Sequence, residues 1–188
     1  ANIASMSLGA SIIPISATET ALQYAVNAGV TVFAATANAN NSSIDYPASS
    51  QYVISVGAAA PDDGRKRSSS NSGEVNSGNY TDPNGVTIDN EVWWGSNYGS
   101  TIQNDPDAVD IIAPTILPTT DISGSAGYNT SPGSAGDYDL WFNGTSCSTP
   151  YAAGVAALIK SKHPTWTPAQ IRTQLTSTAI DVVNVESV

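Results

Sequence analysis

Residues 143–159 read NGTSCSTPYAAGVAALI, a turn of small residues followed by an apolar, alanine-rich run. The run predicts a helix from about Ser146 to Lys162, since Pro164 disfavours helix in the residue before it. Because AAGVAALI is apolar almost all round, we expect this helix to be buried. Free N–H groups and the positive dipole end then face Ser146, where they stabilise negative charge on a nearby oxygen. Two interpretations of Ser146 stay open: a nucleophile, or the N-cap of a core helix.

Apolar segments alternate with helix-like segments on the N-terminal side of this turn. Four of them predict strands: Ile3–Ser7, Val30–Ala35, residues 52–58 and residues 109–114. The last three are continuous apolar runs, typical of strands that are covered on both faces in a parallel sheet. The alternation predicts an α/β fold, a parallel sheet flanked by helices.

Two further predicted helices have recognisable ends. Ser16 and Glu19 have the spacing of a capping box, and Gly29 is placed to end the helix that they open. Thr167 predicts the N-cap of a final helix, with Pro168 at its first position. Both helices are expected on the faces of the sheet.

Two stretches without hydrophobic periodicity predict surface loops. Residues 65–90 are rich in Ser, Asn and Gly, and we interpret them as a surface insertion in one domain portion that spans residues 1–188. Arg65, Lys66 and Arg67 stand together at its start, where we favour a solvated loop over a processing site. The second loop, residues 124–139, leads into the serine turn.

Composition narrows the class of partner. The formal net charge is −10, with 6 Lys plus Arg against 16 Asp plus Glu, which argues against nucleic acid or an anionic membrane surface. No apolar run approaches the roughly 20 residues that a membrane-spanning helix needs. A single cysteine, Cys147, cannot form an internal disulfide.

The only histidine, His163, is excluded by geometry as the base for Ser146. It follows Ser146 by 17 residues, at the far end of the same predicted helix. A rise of about 1.5 Å per residue separates the two by roughly 25 Å, whereas a general base must come within about 3 Å of the hydroxyl. We interpret His163 as a partner of the helix dipole or as a packed surface side chain. The sequence therefore presents a candidate nucleophile without its base.

The serine turn and its helix resemble the serine motif of the subtilases, the subtilisin-like serine proteases. The resemblance continues through SKHPTWTPAQIRTQL (161–175), where the family also carries a non-catalytic histidine. Upstream segments resemble family motifs in the family's order: SMSLG (5–9), VTVFAATAN (30–38), YPASSQYVISVGA (46–58), WWGSNYGS (93–100) and VDIIAP (109–114). These motifs cover most of the chain outside the two loops.

The resemblance implies that the chain is the C-terminal two-thirds of a subtilisin-like catalytic domain. In that family the catalytic residues follow the order Asp, His, Ser. The Asp and His are therefore expected from a complementary N-terminal chain or fragment, and the fold is expected to be incomplete without it. The missing part would leave sheet edges and apolar helix faces exposed.

The resemblance also assigns the chemistry of peptide-bond hydrolysis to two residues. Ser146 would attack the scissile carbonyl of a polypeptide substrate and form an acyl-enzyme. Asn38 would donate its side-chain amide to the oxyanion, together with the backbone N–H of Ser146. The alternative for Asn38 is a turn residue where a strand enters a loop. The family carries Gly before this asparagine, whereas this chain carries Ala37.

A substrate-binding site follows from the same resemblance. Its expected residues are Ser7, Leu8, Gly9, Ala35, Thr36, Ala37, Asp45, Tyr46 and Asn143. The first three would pair with an extended substrate as an added strand, the next three would line one wall of S1, and Asn143 would shape the serine turn. Asp45 and Tyr46 would lie near the base of S1. An acid there would select Lys or Arg at P1, but we favour the alternative of an exposed loop aspartate.

Three smaller expectations complete the resemblance. Cys147 is not expected to act as a rival nucleophile, because it points a different way off the helix start. No cofactor is needed for the chemistry, and a structural calcium is possible, although the carboxylates have no diagnostic ligand spacing. The protein is expected to be secreted, with no nucleic-acid or membrane partner.

Two hypotheses of function remain. The leading one is a serine endopeptidase that is active only with its Asp- and His-bearing portion; the alternative is a catalytically inactive, subtilase-like fragment that binds peptide or a partner. An intact GTS turn and Asn38 favour the first, and the missing base favours the second. An unrelated α/β-hydrolase is excluded because residues 144–148 read GTSCS and not G-x-S-x-G.

Overall fold

In a computed structural model, the structure describes residues 1–59, 64–66, 75–76, 86–87, 94–100, 102 and 105–180. The strands in these ranges are β1 (Ile3–Met6), β2 (Thr31–Ala35), β3 (Ile54–Ala59), β4 (Val75–Asn76), β5 (Val86–Thr87), β6 (Ile111–Pro114), β7 (Leu117–Thr120) and β8 (Tyr138–Phe142). The helices are α1 (Ser16–Asn27), α2 (Thr145–Lys162) and α3 (Pro168–Thr178). Single 3-10 turns lie at Gly124–Ala126 and Gly133–Gly136.

A parallel sheet in the order β1-β2-β3-β6 forms the centre of the molecule. All neighbours are parallel, with Ser5 opposite Phe33, Phe33 opposite Ile54, and Val56 opposite Ile111. Every residue of β2 is buried, as expected of a strand covered on both faces. The predicted fold class, a parallel sheet flanked by helices, is confirmed.

Helices cover the two faces of the sheet. On one face, Phe33 and Val56 pack with Ala153 and Ala156 of α2 and with Ile171 of α3. On the other face, residues of β2 pack with Leu22 of α1 and with the segment after β2, in a cluster of Leu22, Val32, Ala34, Ile44, Ala48 and Val53. Each large apolar side chain that is fully buried contributes about 1.5–3 kcal/mol, so these two clusters hold the sheet between its helices.

Helix α2 is buried on one side only, and the prediction of a helix buried all round is wrong. Ala152, Ala153 and Ala156 are buried against the sheet. By contrast, Tyr151, Val155 and Leu158 are exposed, the last by 72%. In the described part of the chain the sheet covers only the alanine side of α2, so the larger apolar side chains on its other side face outward.

The helix ends follow the sequence at two places and depart from it at a third. Gly29 adopts φ +87 and donates its N–H to the Val26 carbonyl, as predicted for a left-handed helix end. Thr167 is the N-cap of α3, as predicted, and it also forms a complete capping box with Gln170, which was not predicted. The capping box predicted at Ser16 is wrong. Because the extended residue before α1 is Ile15, Ser16 already lies inside the helix and makes no cap bond.

The interpretation of Arg65, Lys66 and Arg67 as a solvated loop is wrong for the first two residues. Arg65 is 6% exposed and Lys66 is 0% exposed. The Nζ of Lys66 donates to the Trp94 carbonyl at 2.9 Å and lies 4.1 Å from the centre of the Trp94 ring. Carbonyl and aromatic partners satisfy these cations inside the protein. Arg67 and most of the 65–90 insertion lie outside the described residues.

A hairpin, β7–β8, encloses the region predicted to be a loop, residues 124–139, and only the first two residues of β8 fall within that region. Leu117 pairs with Phe142, and Thr120 with Tyr138, in an antiparallel ladder. Its sequence does not alternate clearly enough to predict strands. Between the strands, Asp121 accepts hydrogen bonds from the backbone N–H groups of Ile122 and Asn129, and these bonds fix the turn. The hairpin leads directly into the serine turn.

Among the described residues, no helix combines the length and apolar character that crossing a lipid bilayer requires.

Candidate active site

The start of α2 places Ser146 beside the carboxyl ends of the strands. Gly144 is the N-cap residue with φ +90, and its carbonyl accepts the N–H groups of Cys147 and Ser148. Ser146 lies in the first turn and is half-buried, so the interpretation of Ser146 as the N-cap is wrong. Amides of a first helical turn have no intrahelical partner and can donate to a ligand. Ser146 therefore combines an accessible hydroxyl with an amide available for an anion.

Asn38 meets this turn from 107 residues away in sequence. Its Oδ1 accepts the backbone N–H and the hydroxyl of Thr145, each at 2.9 Å. A Cβ built on Gly144 would lie 3.2 Å from the Asn38 Nδ2, so the amide nitrogen sits against the glycine. Because Oδ1 is held by Thr145, the orientation of the side chain is fixed and Nδ2 remains as the donor. This arrangement can stabilise an oxyanion next to Ser146.

Ala37, which precedes Asn38, adopts a left-handed backbone conformation with φ +83. This is the position at which the resemblance expects glycine. A residue with a Cβ carries a cost of about 1–2 kcal/mol in this region. The local backbone thus keeps the glycine-like conformation although the residue is alanine.

Residues 7–9 run beside the serine turn. The Ser7 hydroxyl donates to the Ser146 carbonyl at 2.8 Å. Directly after them, Ala10 forms a two-bond antiparallel bridge with Tyr46. Leu8 is exposed, as expected of a segment that could add a strand of substrate.

Asp45 lies beside this segment. A Cβ on Gly9 would come within 3.1 Å of the Asp45 Cβ and 3.7 Å of the Ala35 carbonyl, so Gly9 packs closely against both residues. Asp45 is half-buried, and burial raises the pKa of its carboxyl. The alternative that we favoured for Asp45, an exposed loop aspartate, is wrong.

Two other predicted substrate-binding residues, Thr36 and Tyr46, have buried side chains. Thr36 is completely buried and its hydroxyl lies 3.4 Å from that of Ser96. Tyr46 is 4% exposed, and burial raises the pKa of its phenol. Its ring therefore belongs to the core. Asn143 is half-buried where β8 enters the serine turn.

Cys147 is buried behind the serine, and burial raises the pKa of its thiol. Because the thiolate is the nucleophilic form, this shift keeps the sulfur unreactive near neutral pH. The structure thus agrees with the expectation that Cys147 is not a rival nucleophile.

His163 lies at the opposite end of α2 from Ser146, directly after the last residue of that helix. Its ring stacks on Trp166 with 3.9 Å between ring centroids and 7° between planes. The interpretation as a packed side chain is confirmed, and the base for Ser146 is not the histidine of this chain.

Within the described ranges, no group of three or more His, Cys, Asp or Glu side chains is placed to hold a metal ion. A calcium site can also be built from backbone carbonyls, so the structural calcium stays a prediction.

Two contacts of the site were missed by sequence reasoning. One is the clamp of Thr145 on Asn38, and the other is a set of bonds from residues 95–98 and Arg65 to the loop after Asn38. Thr145 stood in the motif, but its partner is distant in sequence. The sequence did not indicate that Arg65 is buried in the site, because Lys66 and Arg67 beside it suggested a charged surface.

Comparison with known proteins shows similarity to the subtilase family. The model of the subtilase family matches residues 1–187. M-protease of Shouchella clausii is 32% identical over 183 residues, covering 97% of this chain and 36% of that protein. Subtilisin BL of Lederbergia lenta is 33% identical, covering 95% of this chain and 49% of that protein. Among solved structures, S41 psychrophilic protease is similar with a TM-score of 0.62 and 26% identity, over 94% of this chain and 48% of that one. The chain thus spans about a third to a half of these proteins.

Proposed function

Because the chain belongs to the subtilase family, we propose that it supplies the nucleophile and the oxyanion donors of a serine endopeptidase. Ser146 attacks the scissile carbonyl of a polypeptide and gives a tetrahedral intermediate, which collapses to an acyl-enzyme as the peptide C–N bond breaks and the protonated amine leaves; water then hydrolyses the acyl-enzyme. The observation that carries this proposal is the fixed Asn38 amide beside the first turn of α2, with its Oδ1 held by Thr145.

The two donors act where charge develops. As the carbonyl oxygen becomes negative, the Asn38 Nδ2 and the Ser146 N–H donate to it from fixed positions, so little reorganisation is needed during the reaction. The Ser7 hydroxyl holds the Ser146 carbonyl at 2.8 Å and connects the substrate-binding segment to the serine turn.

The base and its orienting carboxylate come from a part of the protease outside this sequence. The proton of the Ser146 hydroxyl must pass to a group within about 3 Å, and His163 lies at the far end of an 18-residue helix. We propose an Asp- and His-bearing segment as the complement, either a preceding part of the same polypeptide or a separate fragment. The assembled enzyme is proposed to be secreted, and a structural calcium would support it without taking part in the chemistry.

The substrate is proposed to lie as an added strand on residues 7–9, with its P1 side chain directed toward Asp45, whose Cβ packs close to Gly9. A half-buried carboxylate there favours Lys or Arg at P1, because the cation offsets the desolvation of Asp45. Cleavage of peptides that differ only in P1 Arg or Phe by the assembled enzyme tests this assignment. Asp45→Asn is expected to lower kcat/KM for Arg and not for Phe; an unchanged ratio would remove Asp45 from specificity.

The experiment that tests the catalytic proposal begins with denaturing mass spectrometry of natively purified protein, to detect the complement. A fluorophosphonate is then expected to label Ser146 in the assembled protein, and Ser146→Ala to abolish both labelling and hydrolysis. Asn38→Asp keeps the Oδ1 acceptor for Thr145 and removes the amide donor. It is expected to lower kcat about 10²–10³-fold, a magnitude carried over from a subtilisin in which such a donor was removed.

One observation favours the second candidate, a catalytically inactive fragment that binds peptide or a partner. The one histidine of the chain, His163, lies at the far end of α2 from Ser146 and cannot serve as its base. If the purified protein contains no complement and does not react with the fluorophosphonate, the catalytic proposal fails and this one stands.

A further inference from the structure

The loop after Asn38 is fastened to residues 95–98 by a dense set of hydrogen bonds. The side-chain Oδ1 of Asn97 accepts the N–H groups of Ala39 at 2.9 Å and Asn41 at 3.1 Å. The Asn97 N–H donates to the Ala37 carbonyl at 2.9 Å. Asn97 is 1% exposed, so these bonds are shielded from water. Asn97 thus bonds three backbone groups, two through its side-chain oxygen and one through its own N–H, and holds the loop in one conformation.

Asn40 lies in the middle of this loop and adopts a left-handed conformation with φ +53. Its N–H donates to the Gly95 carbonyl at 2.8 Å. Its side chain sits so close to Gly95 that a Cβ there would lie 2.6 Å from the Asn40 Oδ1. Two residues with positive φ, Ala37 and Asn40, thus flank Asn38, and external contacts must hold both.

Arg65 supplies such a contact from the base of the insertion. Its guanidinium donates to the Asn40 Oδ1 at 2.9 Å and to the Ser96 carbonyl, and lies 4.6 Å from the centre of the Tyr98 ring. The side chain is 6% exposed. One buried cation therefore joins the loop after Asn38 to the segment that also carries Asn97. One guanidinium nitrogen, Nη1, makes both donations while the guanidinium carbon lies over the Tyr98 ring, a combination that the compact ammonium of Lys does not reproduce.

We propose that Arg65 is a positioning residue for catalysis, which acts through Asn40 on the placement of the Asn38 amide. The proposal rests on the assignment of Asn38 as an oxyanion donor. Arg65 does not touch the substrate. It fixes the backbone that leaves Asn38, while Thr145 fixes the Asn38 side chain from the opposite side.

The first test is independent of activity. Amide hydrogen exchange of the purified protein is expected to become faster at Asn40 and Asn41 in Arg65→Lys, with exchange in β2 and α3 unchanged. The matched control is Arg172→Lys, which alters a half-buried arginine of α3 whose guanidinium donates to Asp110. It is expected to leave hydrogen exchange at Asn40 and Asn41 unchanged. Unchanged exchange at Asn40 and Asn41 in Arg65→Lys would show that Arg65 does not hold this loop.

The second test uses the protease assembled with its Asp- and His-bearing segment. Arg65→Lys is expected to lower kcat about 10–100-fold at unchanged KM, since misplacing a catalytic group by about 1 Å costs up to 10²-fold. Asn40→Gly removes the acceptor but tolerates positive φ, and in its background Arg65→Lys is expected to have little further effect on kcat.

A double-mutant cycle with Asn38→Asp separates positioning from general destabilisation. If Arg65 acts through Asn38, Arg65→Lys has little further effect on kcat once the amide donor is gone. Equal losses in both backgrounds would overturn the proposal. Full activity of Asn38→Asp would instead refute the assignment of Asn38 as an oxyanion donor. Hydrogen exchange at Asn40 and Asn41 would still show whether Arg65 holds the loop.

Discussion

At the scale of single residues, the candidate site depends on backbone conformations that few side chains adopt. Gly144 at φ +90 brings its Cα against the Asn38 amide, where a Cβ would lie 3.2 Å from Nδ2. Ala37 at φ +83 places Asn38 at the end of β2 without the glycine that suits this conformation. The position of the Asn38 amide therefore depends on Gly144, which suits its positive φ, and on Ala37, which is strained there.

Ala37→Gly is expected to stabilise the protein. Relief of the left-handed conformation is worth about 1–2 kcal/mol, and the added backbone entropy of glycine offsets roughly 0.5–1 kcal/mol of it. Urea unfolding is expected to give a gain of about 0.5–1 kcal/mol. Ala35→Gly, in buried β2, is the control and should destabilise. A loss of stability in Ala37→Gly would mean that the positive φ is not strained.

The contributions of Asp45 and Asp121 to stability are expected to change with pH in opposite directions. Burial raises the folded-state pKa of Asp45 above its ordinary value of 3.8, so its ionisation opposes folding and its contribution to stability falls as pH rises through that range. Asp45→Asn should therefore stabilise the protein more at pH 7 than at pH 3.

Asp121 provides the comparison. Hydrogen bonds from the N–H groups of Asn129 and Ile122 lower its pKa, so its contribution is present above the ordinary value of 3.8 and is lost as pH falls. Asp121→Asn should destabilise the protein more at pH 7 than at pH 3. Chemical denaturation of both variants at both pH values measures the two signs; the same sign for both would contradict the environments described.

At the scale of elements, helices α1 and α3 begin in different ways, and the capping box lies at α3 and not at α1, where the sequence suggested one. At α3, the Thr167 hydroxyl accepts the Gln170 N–H, and the Gln170 side chain accepts the Thr167 N–H. At α1, the N-cap is Ile15 and no side chain caps the helix. Spacing alone is thus insufficient, because the chain must also enter the helix at the right residue.

Thr167→Ala is expected to cost about 1 kcal/mol of stability, the usual value of a lost N-cap. Ser16→Ala changes the first residue of α1, which has capping-box spacing in the sequence but makes no cap hydrogen bond. It is expected to change stability by less than about 0.5 kcal/mol. Thermal or urea unfolding of the pair measures the difference. A similar cost for both would indicate that the α3 box is energetically unimportant.

At the scale of the whole molecule, an apolar face and a strand edge are left uncovered in the described part of the chain. β1 is one of the two edge strands of the sheet, and Tyr151, Val155 and Leu158 are exposed on α2. Exposed strand edges and contiguous apolar patches mark surfaces that another segment covers. The proposed Asp- and His-bearing complement is the occupant that also explains the missing base.

Leu158→Glu is expected to weaken assembly with that complement by at least tenfold, because a carboxylate would replace the most exposed apolar side chain of the α2 face. Co-purification and the yield of fluorophosphonate-labelled Ser146 measure assembly. Thr173→Glu, on the exposed side of α3, is the matched control and should assemble normally. Normal assembly of Leu158→Glu would place the complement elsewhere.

The sequence by itself determined the α/β class, the serine turn and the exclusion of His163. Continuous apolar runs and helical rise are local properties, so β2, β3 and the length of α2 could be predicted from neighbouring residues. The family resemblance rested on such local motifs as well. For Asn38, the sequence indicated a role, but not the contact that fixes it.

Only the tertiary structure decided which distant residues meet. Thr145 clamps Asn38 across 107 residues, and Arg65 turns inward to Asn40 although its neighbours suggested a solvated surface. The exposure of Leu158 likewise depends on which face of α2 the sheet covers. Burial and long-range hydrogen bonds are properties of how the elements pack, and no local pattern of residues contains them.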